Sequence, residues 1–276
     1  MEYGFIKAAA ITPQIRVADC DYNAGQICRA LETVAGQGVK LAVFPELCIT
    51  GYTCGDLFLQ QALLDGAKKA LQAILQQSKS LNLIGIAGLP VVYKDKLYNC
   101  AAVFSKGKLL GLIPKKNLPN YGEFYELRHF VPAPDYMASV SFGGEEVQMG
   151  PDLLFRCEAH PDFILAVEIC EDLWVASPPS IRHTAAGATV IANLSASDET
   201  IGKDQYRRQL VSSQSARLVC GYVYSDAGDG ESTTDMVFSG HNLIAENGTI
   251  LAESRLFKNG ILITDLDVSR IAGRCV

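Results

Sequence analysis

Short runs of β-branched and apolar residues alternate along the chain with longer stretches of helical period. The runs predict strands over residues 5–11, 39–44, 83–93, 97–104 and 108–113, then 153–157, 163–170, 189–194 and 221–224. Further strands are predicted over 240–245, 250–253 and 260–265. Within 21–35, Ile27, Ala30, Leu31 and Val34 fall on one stripe at i, i+3, i+4 and i+7, and Asp19 or Asp21 stands where a cap is needed. Residues 57–81 and 203–218 read as further amphipathic helices, and 178–186 as a shorter one. Turn pairs separate the later strands: Lys94-Asp95, Lys106-Gly107 and Asn247-Gly248, the last a strong two-residue hairpin signal. Strand–helix units therefore mix with direct hairpins. Two sheets packed face to face and covered by helices accommodate both. Residues 115–136 fit no element; a loop of that length is uncommon unless it has a function, and this one holds aromatics and carboxylates together.

No Pro/Ser/Gly-rich or charge-run linker divides the 276 residues, so residues 1–276 are read as one α/β domain. The net charge of −6 and the absence of a Lys/Arg cluster argue against nucleic acid as a partner. Arg207-Arg208, the densest basic stretch, reads as a solvated helix face. The N-terminal stretch has no signal-peptide pattern, and no apolar run approaches the roughly 20 residues that span a bilayer. A soluble, cytoplasmic protein with no membrane contact is expected. Its nine cysteines are scattered, without C-x-x-C pairs, which predicts reduced thiols and no metal site.

Side chains that do chemistry project from rigid strand ends. Glu46 follows Leu41-Ala42-Val43-Phe44-Pro45, where partial desolvation suits a carboxylate to general-base work. Lys115 follows Leu112-Ile113-Pro114, and its ammonium could stabilise a forming oxyanion. Cys170 ends the run from Phe163, though Cys157 also ends an apolar run and the pattern does not choose between them. Each signal alone has an ordinary reading, as a surface charge or a small buried hydrophobe.

Together they are specific. Phe44-Pro45-Glu46-Leu47, Pro114-Lys115-Lys116-Asn117-Leu118-Pro119 and Glu168-Ile169-Cys170-Glu171-Asp172 occur in that order and resemble the Glu–Lys–Cys signature of the nitrilase superfamily. Gly51-Tyr52, the stretch Asn120-Tyr121-Gly122-Glu123-Phe124-Tyr125-Glu126, and Gly230-Glu231-Ser232-Thr233-Thr234-Asp235 resemble the amidase domain of glutamine-dependent NAD synthetases. The resemblance covers essentially the whole chain. It implies a four-layer α-β-β-α sandwich and a glutaminase that releases ammonia from L-glutamine through a thioester on Cys170. Glu46 would be base and acid, and Lys115 an oxyanion donor.

By the same resemblance Tyr121, Ser197 and Lys203 would bind the substrate, Lys203 departing from an arginine found there in some members. Glu123 would hold Lys115 or position substrate, Phe124 would wall the pocket, and Glu171 would meet the substrate's amino group. Cys48 and Cys54 are read as structural. The resemblance also implies a homo-oligomer and an ATP-dependent C-terminal synthetase domain. No S-G-G-x-D-S loop occurs here, so ATP, Mg and deamido-NAD are expected only with that absent domain, and no cofactor with this one. The rival readings are another amidase of the superfamily (ω-amidase, carbamoylase or nitrilase) and a non-catalytic binding domain.

Overall fold

In the computed structural model, which describes residues 4–273, the apolar stripe of helix α1 (Cys20–Gly36) lies against a sheet. Asp19 caps it, its Oδ1 accepting the Tyr22 N–H at 3.0 Å. Behind α1 and α2 (Gln61–Gln77) stands an eight-stranded sheet of β1 (Phe5–Thr12), β2 (Leu41–Val43), β3 (Ile84–Tyr93), β4 (Lys96–Ser105), β5 (Lys108–Pro114), β6 (Ala138–Phe142), β7 (Glu145–Met149) and β14 (Gly260–Asp267), in the order β14-β1-β2-β3-β4-β5-β7-β6. A second sheet runs β13-β12-β11-β10-β9-β8. Its strands are β8 (Leu154–Cys157), β9 (His160–Ile169), β10 (Val190–Ser195), β11 (Gly221–Asp226), β12 (Leu243–Glu246) and β13 (Thr249–Glu253).

The central strands are buried on both faces, which is why they read as continuous apolar runs. Along β1, Ile6, Ala8 and Ala10 enter the core between the sheets, where Leu165, Val167 and Val190 meet them; Ala9 and Ile11 face the helices. A third cluster joins Tyr222, Tyr224 and Ile191 to Val211 of α5 (Lys203–Leu218), which follows the short helices α3 (Glu171–Trp174) and α4 (Pro179–Ala185) along the chain. The layers are therefore helix, sheet, sheet, helix, as the sequence led us to expect. The Asn247-Gly248 turn closes the β12–β13 hairpin with both φ positive.

Two readings need correction, and one hairpin is added. Residues 138–149 form the edge hairpin β6–β7, turned at Gly143-Gly144. Its Ala138-Ser139-Val140-Ser141-Phe142 alternation marks a strand buried on one face only. The helix read over 57–81 is broken, since Tyr52–Leu59 is a kinked 3₁₀ segment and extended Gln60 separates it from α2. Leu57 and Leu59 are exposed and do not extend the α2 stripe. Finally, Arg207 is wholly buried rather than on a solvated face.

Candidate active site

β9 ends at Ile169, and the next residue reverses direction. Cys170 has φ 44° and ψ −101°, and directly precedes the one-turn helix α3 (Glu171–Trp174). Such a backbone is strained for a residue with a Cβ and persists only where its surroundings over-determine it. They do so here: the Cys170 N–H reaches Leu194 O at 2.9 Å and Asn193 Oδ1 at 3.2 Å. Asn193 Nδ2 donates to the Tyr222 hydroxyl, which donates in turn to buried Glu168. Asp172 ties the elbow to the segment after Lys115, accepting the N–H of Ile169 at 3.1 Å and of Asn117 at 2.8 Å.

From the other sheet, Glu46 follows β2. The chain around it is pressed against β3, where a Cβ on Gly88 would stand 2.2 Å from the Leu47 nitrogen. Glu46 Oε1 accepts Lys115 Nζ and Asn99 Nδ2, each at 2.6 Å, and Oε2 accepts the Ala196 N–H at 3.0 Å. Lys115 Nζ also donates at 2.6 Å to Glu126 Oε1, which accepts the Tyr52 hydroxyl at 2.9 Å. All these side chains are buried. Glu231 accepts the N–H groups of Tyr52 and Thr53 at 2.7 and 3.0 Å, which joins the separate Gly51-Tyr52 and Gly230–Asp235 motifs.

One ammonium therefore faces two carboxylates. Burial alone would strip the proton from Lys115, but Glu126 and then Glu46 outweigh it and hold the charge firmly. Glu126 is pushed up to about 7, because its burial outweighs Lys115. The Cys170 thiol feels Glu46, Lys115 and Glu126 through their charges. Burial first, and Glu46 second, push it well above an ordinary thiol, so it rests protonated. A neutral buried thiol becomes a nucleophile only as its proton is removed.

Around this cluster the Tyr121 hydroxyl donates to Glu171 at 2.9 Å, and its ring meets Phe124 edge-on at 5.9 Å. Lys203 pairs with Asp198 and lies 5.5 Å from the ring centres of Phe124 and Trp174. Ser197 is buried, its N–H bonded to Asp226 and its Oγ accepting from Arg207. Glu123 does not hold Lys115; Glu126, three residues on, does. The Glu126 N–H bonds to Pro119 O, which folds the loop so that this carboxylate turns inward. Glu123 instead lines a cavity of about 220 Å³ shared with Tyr52, Glu126 and His129. That cavity borders the cluster but includes none of Glu46, Lys115 and Cys170. Cys157 lies in the β8–β9 hairpin, at the opposite end of β9 from Cys170. Cys48 and Cys54 are buried, and burial pushes both thiols up to about 12.

A carbon-nitrogen hydrolase family model matches residues 7–273. The chain belongs to that family. A glutamine-dependent NAD(+) synthetase of Mycobacterium tuberculosis is 42% identical to it over 267 residues, 97% of this chain and 39% of that protein. The crystal structure of a glutamine-dependent NAD(+) synthetase from Cytophaga hutchinsonii aligns at TM-score 0.85 and 29% identity, over 95% of this chain and 43% of that one. An amidase of the nitrilase superfamily from Nesterenkonia AN1 shares the fold at TM-score 0.74 and 20% identity, over 98% and 93%. The chain spans well under half the length of the synthetases it matches. Among the described residues of this carbon-nitrogen hydrolase, no helix is long and apolar enough to cross a membrane.

Behind the elbow, burial pushes the Glu168 carboxyl from 4.5 up to about 7. Between those values the folded hydrolase holds a proton that the unfolded chain releases. Stability therefore falls as pH rises through that window. Glu168→Gln keeps the shape and removes the titration. Between pH 5 and 8, urea unfolding of the variant should lose about 2–3 kcal/mol less stability than the parent. Equal losses would refute the buried, protonated state of Glu168.

Proposed function

We propose that this carbon-nitrogen hydrolase is a glutaminase, releasing ammonia from L-glutamine. Cys170 attacks the side-chain carboxamide while Glu46 takes the thiol proton, then passes it to the departing ammonia. Lys115 and the Glu171 N–H, which opens α3 and has no partner within it, face the oxyanion of the tetrahedral intermediate. Glu46 next activates water against the thioester, and glutamate leaves. The observation that carries this reading is the Lys115 ammonium bonded to both Glu46 and Glu126 beside the buried Cys170 thiol on a strained elbow.

Tyr121, Phe124, Glu171 and Lys203 are proposed to wall the substrate, with Glu171 receiving its amino group and Ser197 and Lys203 its polar end. Glu123 is proposed to contact substrate from the neighbouring cavity. The ammonia would serve NAD synthesis from deamido-NAD on a C-terminal synthetase domain outside this chain. ATP and Mg belong to that domain, and no cofactor is assigned to this one. The protein would act in the cytoplasm as a homo-oligomer.

The test compares ammonia release from L-glutamine with release from ω-amides, carbamoyl compounds and nitriles. Glutamine should give the highest kcat/KM. A preference for nitriles would overturn the glutaminase reading in favour of a nitrilase. A glutamine-analogue electrophile should leave its adduct on Cys170 by mass spectrometry; no adduct would favour a binding domain without catalysis.

A further inference from the structure

A carboxylate offers about four acceptor directions over its two oxygens. In Glu46 three are filled: Lys115 Nζ and Asn99 Nδ2 occupy Oε1, and the Ala196 N–H occupies one side of Oε2. We infer that Asn99 is a positioning residue for the base, filling Oε1 so that Oε2 alone is open to the Cys170 proton. The inference rests on Glu46 being the base, and it names the oxygen that does the work.

Asn99 is suited to this in two ways. A carboxylate only accepts, so the atom turned to Glu46 must be the amide nitrogen. The backbone carbonyl of the same residue accepts the Lys115 N–H at 2.8 Å, so one position on β4 fixes both the base and the lysine. The arrangement is unfavourable for packing alone. Asn99 is buried, and its Oδ1 has no hydrogen-bond partner, a state that destabilises a fold and that an apolar side chain would avoid. The amide is therefore placed for Glu46 rather than for the core.

The proton balance follows. The S–H bond of Cys170 breaks as an O–H bond forms on Glu46 Oε2 and sulfur bonds to the amide carbon. When the C–N bond breaks, that proton leaves on nitrogen as ammonia. Water then gives its proton to Oε2 as its oxygen takes the acyl carbon, and the proton returns to sulfur as the C–S bond breaks. Oε1 keeps its two donors throughout. The charged or titratable groups that share this space with Glu46 are Lys115, Glu126, Cys170 and Tyr52.

Asn99→Leu tests the assignment, because it removes both polar atoms at nearly constant volume. With the amide gone, Oε1 is half free and the carboxylate can rotate. The expected result is a kcat lower by about 10- to 100-fold, part of the 10²–10⁴ that a positioned base supplies, with KM nearly unchanged. With a donor to the base lost, the limbs of the kcat/KM pH profile are expected to move away from the parent's as well. Asn99→Asp is the second arm. Its protonated acid can still donate to Glu46, so activity should survive at acid pH and fall away as pH rises. Loss of packing alone would lower the melting temperature and leave both limbs in place. An Asn99→Leu enzyme with parental kcat and limbs overturns the inference while leaving the glutaminase reading intact. If that variant does not fold, an Asn99→Asp enzyme with the parental profile overturns it equally.

Discussion

Cys170→Ala should lower ammonia release from glutamine by roughly 10⁶-fold, the scale seen when a nucleophile is removed from a working constellation, and should leave thermal unfolding almost unchanged. Both halves follow from the geometry. The elbow is held by the backbone N–H of residue 170 and by Asn193 and Asp172, none of which involves the sulfur. Burial keeps the thiol neutral, so its removal uncovers no charge. Alanine tolerates the positive φ about as well as cysteine does, since both carry a single unbranched Cβ. Ammonia release and a melting curve on the same preparation are the measurements. Turnover near the parental rate would end the nucleophile assignment.

Lys115→Met should do the opposite to stability. The buried cluster holds one cation between Glu46 and Glu126, and methionine matches the lysine stem without its charge. Two carboxylates are then left together out of water, and breaking a buried ion pair in this way costs about 3–5 kcal/mol. The loss should be largest above pH 7. There Glu126, already pushed up to about 7, would otherwise be ionised, and the folded variant must hold a proton that the unfolded chain releases. At pH 5 much of the loss should disappear. Glutamine turnover should fall by at least about 10²–10³, the usual effect of losing one oxyanion donor. Adding Glu126→Gln to Lys115→Met should restore part of the stability, since one buried carboxylate then remains instead of two, and none of the activity. Urea unfolding at pH 5 and pH 8 measures this, and a single variant as stable as the parent at pH 8 would refute the charge balance.

The strand ends that carry Glu46, Lys115 and Cys170 are legible because each follows an apolar run that is buried on both faces where the strand ends. What escapes a local reading is pairing. Glu123 and Glu126 sit three residues apart in one loop with similar neighbours, and only the fold back onto Pro119 decides which carboxylate meets Lys115. Asn99 stands between tyrosine and cysteine within a strand, where nothing local marks an amide that faces a carboxylate some fifty residues away. Helix α5 does carry a buried stripe at i, i+4, i+7 and i+8, but its members are Arg207, Val211, Gln214 and Ser215. A hydrophobic period passes over such a stripe. Glu199, Asp198 and Ser197, which accept hydrogen bonds from the terminal nitrogens of Arg207, lie just before that helix, while His241 comes from much further along the chain. The β6–β7 hairpin could have been found from its alternation and its paired glycines.

The proton acceptor and the ammonium ride on the ends of β2 and β5, whereas the sulfur and the Ala196 amide ride on the ends of β9 and β10. The two halves of the chemistry thus belong to separate slabs, joined by the hydrocarbon contacts of their shared interior and by polar ties such as Asp172 to Asn117 and Glu46 to Ala196. Sliding one slab over the other by a fraction of an ångström would spoil proton transfer while every strand kept its own ladder. Turnover in such a molecule is a vernier for slab alignment. As urea rises it should fade before circular dichroism registers any melting.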